Sequence, residues 1–141
     1  MEAGSKKTYA PGECYDYQLL IRHILESPRV YSPDREIVYR DQFRMTYRDF
    51  FERTGRLAGA LAGLGVGFGD TVCVFDYDSH RYLECFFAIP MMGAVLHTQN
   101  WRFSPEQILY TMNHAGAKVV LIHVDFLPLL EPLLDKLTTA E

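Results

Sequence analysis

The segment Thr98-Gln99-Asn100-Trp101-Arg102-Phe103 holds the side chains best suited to meeting a ligand, with amides, a large aromatic ring and a guanidinium side by side. Arginine's planar fork suits phosphate oxygens, which it can grip through two parallel N–H groups. The chemistry alone leaves a second reading, in which Trp101 packs down against the protein and Arg102 is simply solvated. Asp76 and Asp78 form another cluster. Together with Thr98 and Lys118 they have a faint likeness to a phosphoacceptor site, but they fit turn and helix-capping acids better.

Other chemistries find no support in the spacing. Gly65-Val66-Gly67-Phe68-Gly69 has the look of a nucleotide-binding glycine loop. Such a loop must follow a strand and open a helix, so that phosphate meets the helix N-terminus. Here the glycines follow a helical pattern and precede a strand, which makes them a helix stop and a tight turn. The histidines, His23, His80, His97, His114 and His123, stand at no metal-ligand spacing. There is no GxSxG elbow for a hydrolase nucleophile.

Positioning these residues requires a layered α/β unit. Apolar residues at Tyr17, Leu20, Ile21, Ile24 and Leu25 predict a helix over Tyr17–Glu26 that ends before Pro28. Glu36–Tyr39 and Phe43–Met45 read as a hairpin joined at Asp41-Gln42. Thr46-Tyr47-Arg48-Asp49 has capping-box spacing and opens a helix with a stripe at Phe50, Leu57, Ala58, Leu61 and Leu64, stopped by Gly65. Thr71–Phe75 reads as a strand buried on both faces. Asp78 or Ser79 caps a helix through about Met92, which Pro90 kinks or ends. Ala94–Thr98 is the next strand. Ser104-Pro105-Glu106-Gln107 opens a helix with Ile108, Leu109 and Met112 inward, His114 in its last turn and Gly116 as its stop. Lys118–His123 is a third strand and Phe126–Leu137 a final helix. The expected fold class is α/β: an N-terminal helix and small hairpin, followed by a partial parallel sheet with helices on both faces.

Composition bounds the function classes. The 141 residues are 48% hydrophobic and 23% charged, which is ordinary for a globular chain. The net charge of −4 recommends neither nucleic acid nor an anionic membrane surface. Cys14, Cys73 and Cys85 form no CxxC pair, and the latter two sit among apolar residues, as expected in a reducing, cytoplasmic compartment. Residues 1–14 read as a loose tail without the apolar stretch of a signal peptide. The longest apolar runs, Leu57–Phe68 and Phe86–Leu96, are about half of a bilayer span.

The motifs together carry a resemblance. Met45-Thr46-Tyr47-Arg48-Asp49-Phe50 resembles the "(L/M)-T-Y-x-(E/D)-(L/F)" opening of the adenylate-forming enzymes. Gly63 through Val72 is similar to their "LGVxxGDxV" turn. Gly93 through Ser104 resembles the "GAVLHTxNxRLS" stretch of fatty-acyl-CoA synthetases, and Glu106 through Leu121 their "EEIAYILNHAGAKVLL". The likeness spans residues 15 to 137 with order and spacing intact, so residues 15–141 are expected to be an incomplete N-terminal portion of an AMP-binding domain. The "VLHTxNxR" variant is similar to medium- or long-chain acyl-CoA synthetases rather than to amino-acid activators.

The resemblance implies ATP, Mg²⁺, CoA and a fatty acid as partners of a full-length ligase, which forms an acyl-adenylate and then acyl-CoA. The family's Ser/Thr/Gly-rich phosphate loop and its catalytic lysine are not in this sequence, so the chain alone is expected to be inactive. It further implies that Arg102 lies near the phosphates of CoA. His97, Asn100 and Trp101 match or neighbour the same motif and are expected to be structural, Trp101 standing where proline is common. Cys14–Leu25 is a candidate homodimer surface by the same likeness. A different class stays open on the residues themselves: a self-standing receiver-like or small-ligand-binding α/β module. It would need a complete sheet and lacks a place for the N-terminal helix and hairpin.

Overall fold

A computed structural model describes residues 17–138, and its elements follow from a few local devices. The first helix, α1, runs Ile21–Tyr31. It starts later than the periodicity predicts and passes through Pro28. Proline has no N–H to give the carbonyl of Ile24, so one helical bond is forfeited. The last turn survives because the Ser32 N–H donates to the Pro28 carbonyl at 3.0 Å. With Tyr17–Leu20 outside the helix, the expected stripe dissolves: Leu25 is buried while Tyr17, Leu20 and Ile24 are exposed.

Strands β1 (Glu36–Tyr39) and β2 (Phe43–Thr46) pair antiparallel, Glu36 opposite Thr46 and Tyr39 opposite Phe43. Their turn centres on Arg40 and Asp41, both at positive φ, one residue earlier than the sequence suggests. Helix α2 (Tyr47–Gly63) opens with the predicted capping box: the Asp49 N–H donates to Thr46 Oγ1 at 3.1 Å and the Thr46 N–H to Asp49 Oδ2 at 2.9 Å. The Thr46 hydroxyl, which donates to Asp49 Oδ2 at 2.7 Å, and then the Thr46 N–H hold the Asp49 carboxyl below its ordinary value. Phe50 and Leu61 are buried on its inner face, whereas Leu64, past the end of the helix, is exposed.

Strands β3 (Thr71–Phe75), β4 (Val95–Thr98) and β5 (Ala117–Ile122) form a parallel sheet in the order β4-β3-β5. Central β3 is buried at every position, as a strand covered on both faces must be. Its side chains alternate between two cores. Val72 and Val74 pack with Leu61 of α2 and with Cys85 and Ile89 of α3 (His80–Met91). Cys73 and Phe75 pack with Ile108 and Met112 of α4 (Pro105–His114) and with Phe126, Leu130 and Leu133. Burial pushes the thiols of Cys73 and Cys85 up to about 12, so both behave as apolar packing residues. Ser79, rather than Asp78, caps α3, and α3 ends one residue after Pro90.

The final segment departs from the expected single helix. It breaks into a 3₁₀ turn at Val124–Phe126, the short α5 at Leu127–Leu130, and another 3₁₀ stretch at Glu131–Lys136. Pro128 and Pro132 each occupy the opening of one of these pieces, and neither can donate the N–H that would join it to the preceding one.

Candidate functional site

The order β4-β3-β5 sends the chain outward from β3 to β4 through α3, then back across β3 to β5 through α4 on the other face. Beyond the carboxyl ends of β3 and β4 the two connections diverge, and a crevice opens there, as open α/β sheets require. The crevice is a cleft of about 370 Å³. Asp76, Tyr77 and Asp78 line it from the β3 side, Thr98 through Arg102 from the β4 side, and Arg40 from the hairpin.

The β4 loop is tied down at each step. The Gln99 N–H donates to the Val74 carbonyl at 3.0 Å, extending the ladder by one rung. The side chain of Gln99, 4% exposed, donates through Nε2 to the Asn100 carbonyl and accepts from Thr111 Oγ1 at 2.8 Å. Asn100 Oδ1 accepts the Arg102 N–H at 3.0 Å, which closes a turn, and Ser104 caps α4 immediately afterwards. The loop therefore hangs from the sheet, from α4 and from its own side chains.

Its aromatic ring completes the anchorage. Trp101 is stacked on Phe126, ring centroids 5.4 Å apart and planes 21° apart, and Phe126 is buried against Phe75. The Arg102 guanidinium lies over the Trp101 ring, 4.0 Å from its centroid. Trp101 thus packs down, as the second reading of this loop expects, and the exposed Arg102 rests on it as on a plate. Stacking restricts the guanidinium while leaving its N–H edges available for hydrogen bonds. Tyr77 meets the edge of Trp101 and also packs on Phe126 and His123. Removal from water, then the Asp125 carboxylate, raises its phenol above the ordinary value, so Tyr77 is a neutral wall.

The acids of the cleft are turn and capping groups. Asp76 accepts from the Tyr77 N–H at 2.7 Å and from Ser79 Oγ at 2.9 Å, with Arg81 Nε 3.5 Å away. Lys118, grouped with them as part of a phosphoacceptor set, sits at the other end of the sheet. There its ammonium donates to the Gly65 carbonyl at 2.8 Å and to Asp70 Oδ2 at 2.9 Å. That separation removes the phosphoacceptor arrangement. His97 lies inside β4 opposite Cys73; its Nδ1 is buried without a hydrogen-bond partner, and burial depresses its pKa. It does not line the cleft. Arg40, Tyr77 and Tyr82 do, and nothing in their local sequence marks them; only the packing of the hairpin and α3 brings them there.

Of the Cys14–Leu25 surface, residues 14–16 lie outside the described residues, and Leu25 belongs to the chain's own core with Met45 and Phe50. Among the described residues no helix is long and apolar enough to cross a membrane.

Known proteins are similar to this chain in sequence and fold. The chain is 39% identical to a long-chain-fatty-acid–CoA ligase of Thermus thermophilus over 98% of its own length and 26% of that protein's. It is 33% identical to a medium-chain-fatty-acid–CoA ligase of Ectopseudomonas oleovorans over 84% of its length and 22% of the relative's. The chain thus spans about a quarter of the length of the curated relatives it matches. The anthranilate CoA ligase AuaEII, solved with anthranoyl-AMP, superposes with a TM-score of 0.80 at 29% identity, over 84% of this chain and 23% of that one. The model of the AMP-binding enzyme family matches residues 26–140, and the chain belongs to that family.

Proposed function

We propose that this chain is the N-terminal part of an ATP-dependent medium- or long-chain fatty acid–CoA ligase, and that Arg102 holds a phosphate of CoA. The reaction has two steps. A fatty-acid carboxylate oxygen attacks the α-phosphorus of ATP, and pyrophosphate leaves. The CoA sulfur then attacks the acyl carbon, and AMP leaves with the electrons of the C–O bond. The observation that carries the reading is the stack of Phe126, Trp101 and Arg102, which holds a guanidinium at the carboxyl edge of the sheet. The similarity to fatty-acid ligases supports the substrate class.

The residues here bind and orient; none is assigned to the chemical steps. Nothing is assigned to Mg²⁺ either. Both oxygens of Asp76 are engaged, and among the described residues no three His, Cys, Asp or Glu gather to hold a metal. ATP would be held by the Ser/Thr/Gly-rich loop and lysine of a longer protein, so the 141-residue chain alone should show no ATP–pyrophosphate exchange. Cytoplasmic residence belongs to the same reading, as does a homodimer formed through the N-terminal segment, where Leu19 and Ile24 are exposed.

The test is Arg102→Ala in the longer enzyme. Loss of a charge-assisted contact costs about 1.5–3 kcal/mol, a roughly ten- to hundred-fold rise in KM for CoA. Acyl-adenylate formation should hold steady, because CoA enters only in the second step. Arg102→Lys should recover part of the loss, since an ammonium cannot reproduce the fork. A wild-type KM for CoA in a folded Arg102→Ala enzyme would refute the assignment.

A further inference from the structure

The hairpin contributes a second arginine to the cleft. Arg40 occupies a turn position at φ 49°, followed by Asp41 at φ 53°. Such turns favour asparagine and glycine, and a long side chain is disfavoured in the left-handed region. Its neighbours are committed within the hairpin: Arg44 donates to Glu36 at 2.9 Å and to Asp41 at 3.1 Å. Among the described residues, Arg40 and Arg102 make no ion pair, and each guanidinium instead lies over an adjacent aromatic ring. The hairpin is pinned at the mouth of the cleft by Phe43, stacked on His80 at 4.1 Å, and by Tyr39, 5.5 Å from the same ring.

Two guanidiniums that enter one cleft from separate elements set the charge their ligand should carry. A phosphate monoester gathers about −1.5 to −2 on a single phosphorus at neutral pH, whereas an internal diphosphate spreads a similar total over two, so a clamp on one group favours the monoester. Of the cleft acids, Asp76 already accepts from Ser79 and faces Arg81, so its charge is compensated locally. Asp78 is exposed.

We infer that Arg40 and Arg102 clamp one phosphate monoester between the hairpin and the β4 loop, namely the terminal 3′-phosphate on the ribose of CoA. Arg40 is then the residue that distinguishes CoA from its dephosphorylated form. The inference rests on the reading that CoA enters this cleft, and it adds the hairpin as a wall of the site.

Calorimetric titration of the 141-residue chain with CoA and with dephospho-CoA tests it, using wild type, Arg40→Asn and Arg102→Ala. Asparagine tolerates left-handed backbone, so Arg40→Asn should melt no lower than wild type. Wild type should bind CoA about ten-fold tighter than dephospho-CoA, the scale of one charge-assisted contact. Arg40→Asn should abolish that discrimination while leaving dephospho-CoA within about two-fold. If Arg102→Ala weakens CoA binding and Arg40→Asn does not, the hairpin is no part of the site, and the Arg102 assignment stands. Equal weakening of both ligands by Arg40→Asn would move the pair to the diphosphate and overturn the monoester assignment. A wild-type chain that binds CoA no better than dephospho-CoA also overturns it. Failure of both variants to affect CoA would remove the Arg102 reading as well.

Discussion

The two ends of the parallel sheet treat polar groups in opposite ways. At the amino end, Asp70 Oδ2 takes the Gly67 N–H at 2.8 Å and the Lys118 ammonium at 2.9 Å, and Lys118 also caps the Gly65 carbonyl. The Gly69 N–H donates to the Gly93 carbonyl at 2.9 Å, closing that end. The Gly67 amide and then Lys118 hold Asp70 below its ordinary carboxyl range. Every charge there has an internal partner. At the carboxyl end, Arg40 and Arg102 face a cleft from rigid supports and pair with no acid among the described residues. A self-satisfied polar cluster stabilises; one held in place with its charges uncommitted is arranged for something else.

The largest effect should come from the support that joins the carboxyl end to the core. Phe126→Ala deletes a ring buried under both Phe75 and Trp101, and such truncations cost about 3–5 kcal/mol. Because Trp101 is the sole tryptophan, its emission reports this cleft specifically. Urea denaturation should show the lost stability, and the folded emission should shift to the red. Unchanged emission would mean that the loop stands without Phe126.

A smaller loss should follow at the amino end. Gly93 has φ 85°, and a Cβ there would lie 2.6 Å from Phe68 Cδ2. Left-handed backbone alone costs a non-glycine residue about 1–2 kcal/mol, so Gly93→Ala should lower the urea midpoint. It should leave CoA affinity unchanged, and a parallel loss of CoA binding would break the division between the two ends.

The smallest effect is on pH. Burial depresses His80 and His97 below their ordinary 6.5 in the folded state. The unfolded chain therefore binds protons first as pH falls, and stability present above 6.5 declines through the window beneath it. Asp49 and Asp70, lowered from 3.8, give up their contribution only in a second window below that value. The urea midpoint should thus fall in two steps on acidification, the first absent from a His80→Gln/His97→Gln variant. A midpoint that rises just below 6.5 would contradict the burial of these rings.

Much of this was legible in the sequence because it is local. Capping at Thr46 and Ser104, the stops at Gly65 and Gly116, and the apolar run of β3 each depend on residues within a few positions. The exposed position of Arg102 was legible for the same reason, since the ring it lies over, Trp101, is its neighbour. What sequence reasoning missed is nonlocal. Arg40 reaches the cleft only because Tyr39 and Phe43 pack on His80. Arg53 grips Glu84, 6% exposed, at 2.6 Å across 31 positions, locking α2 to α3 through a pairing no window contains. The final helix was misread because its apolar periodicity is real, while Pro128 and Pro132 withhold the bonds that would make it continuous. In α1 the balance runs the other way: Pro28 forfeits one bond without stopping the helix.

The central claim is that the carboxyl end of the sheet is where this chain meets CoA. Titration of CoA into the ¹⁵N-labelled chain, followed by amide chemical shifts, tests it directly. The account predicts saturable shifts confined to Arg40–Asp41, Asp76–Asp78 and Thr98–Phe103, with the Gly65–Asp70 turn unmoved. Saturable shifts centred on that turn, or no saturable shifts at all, would contradict it.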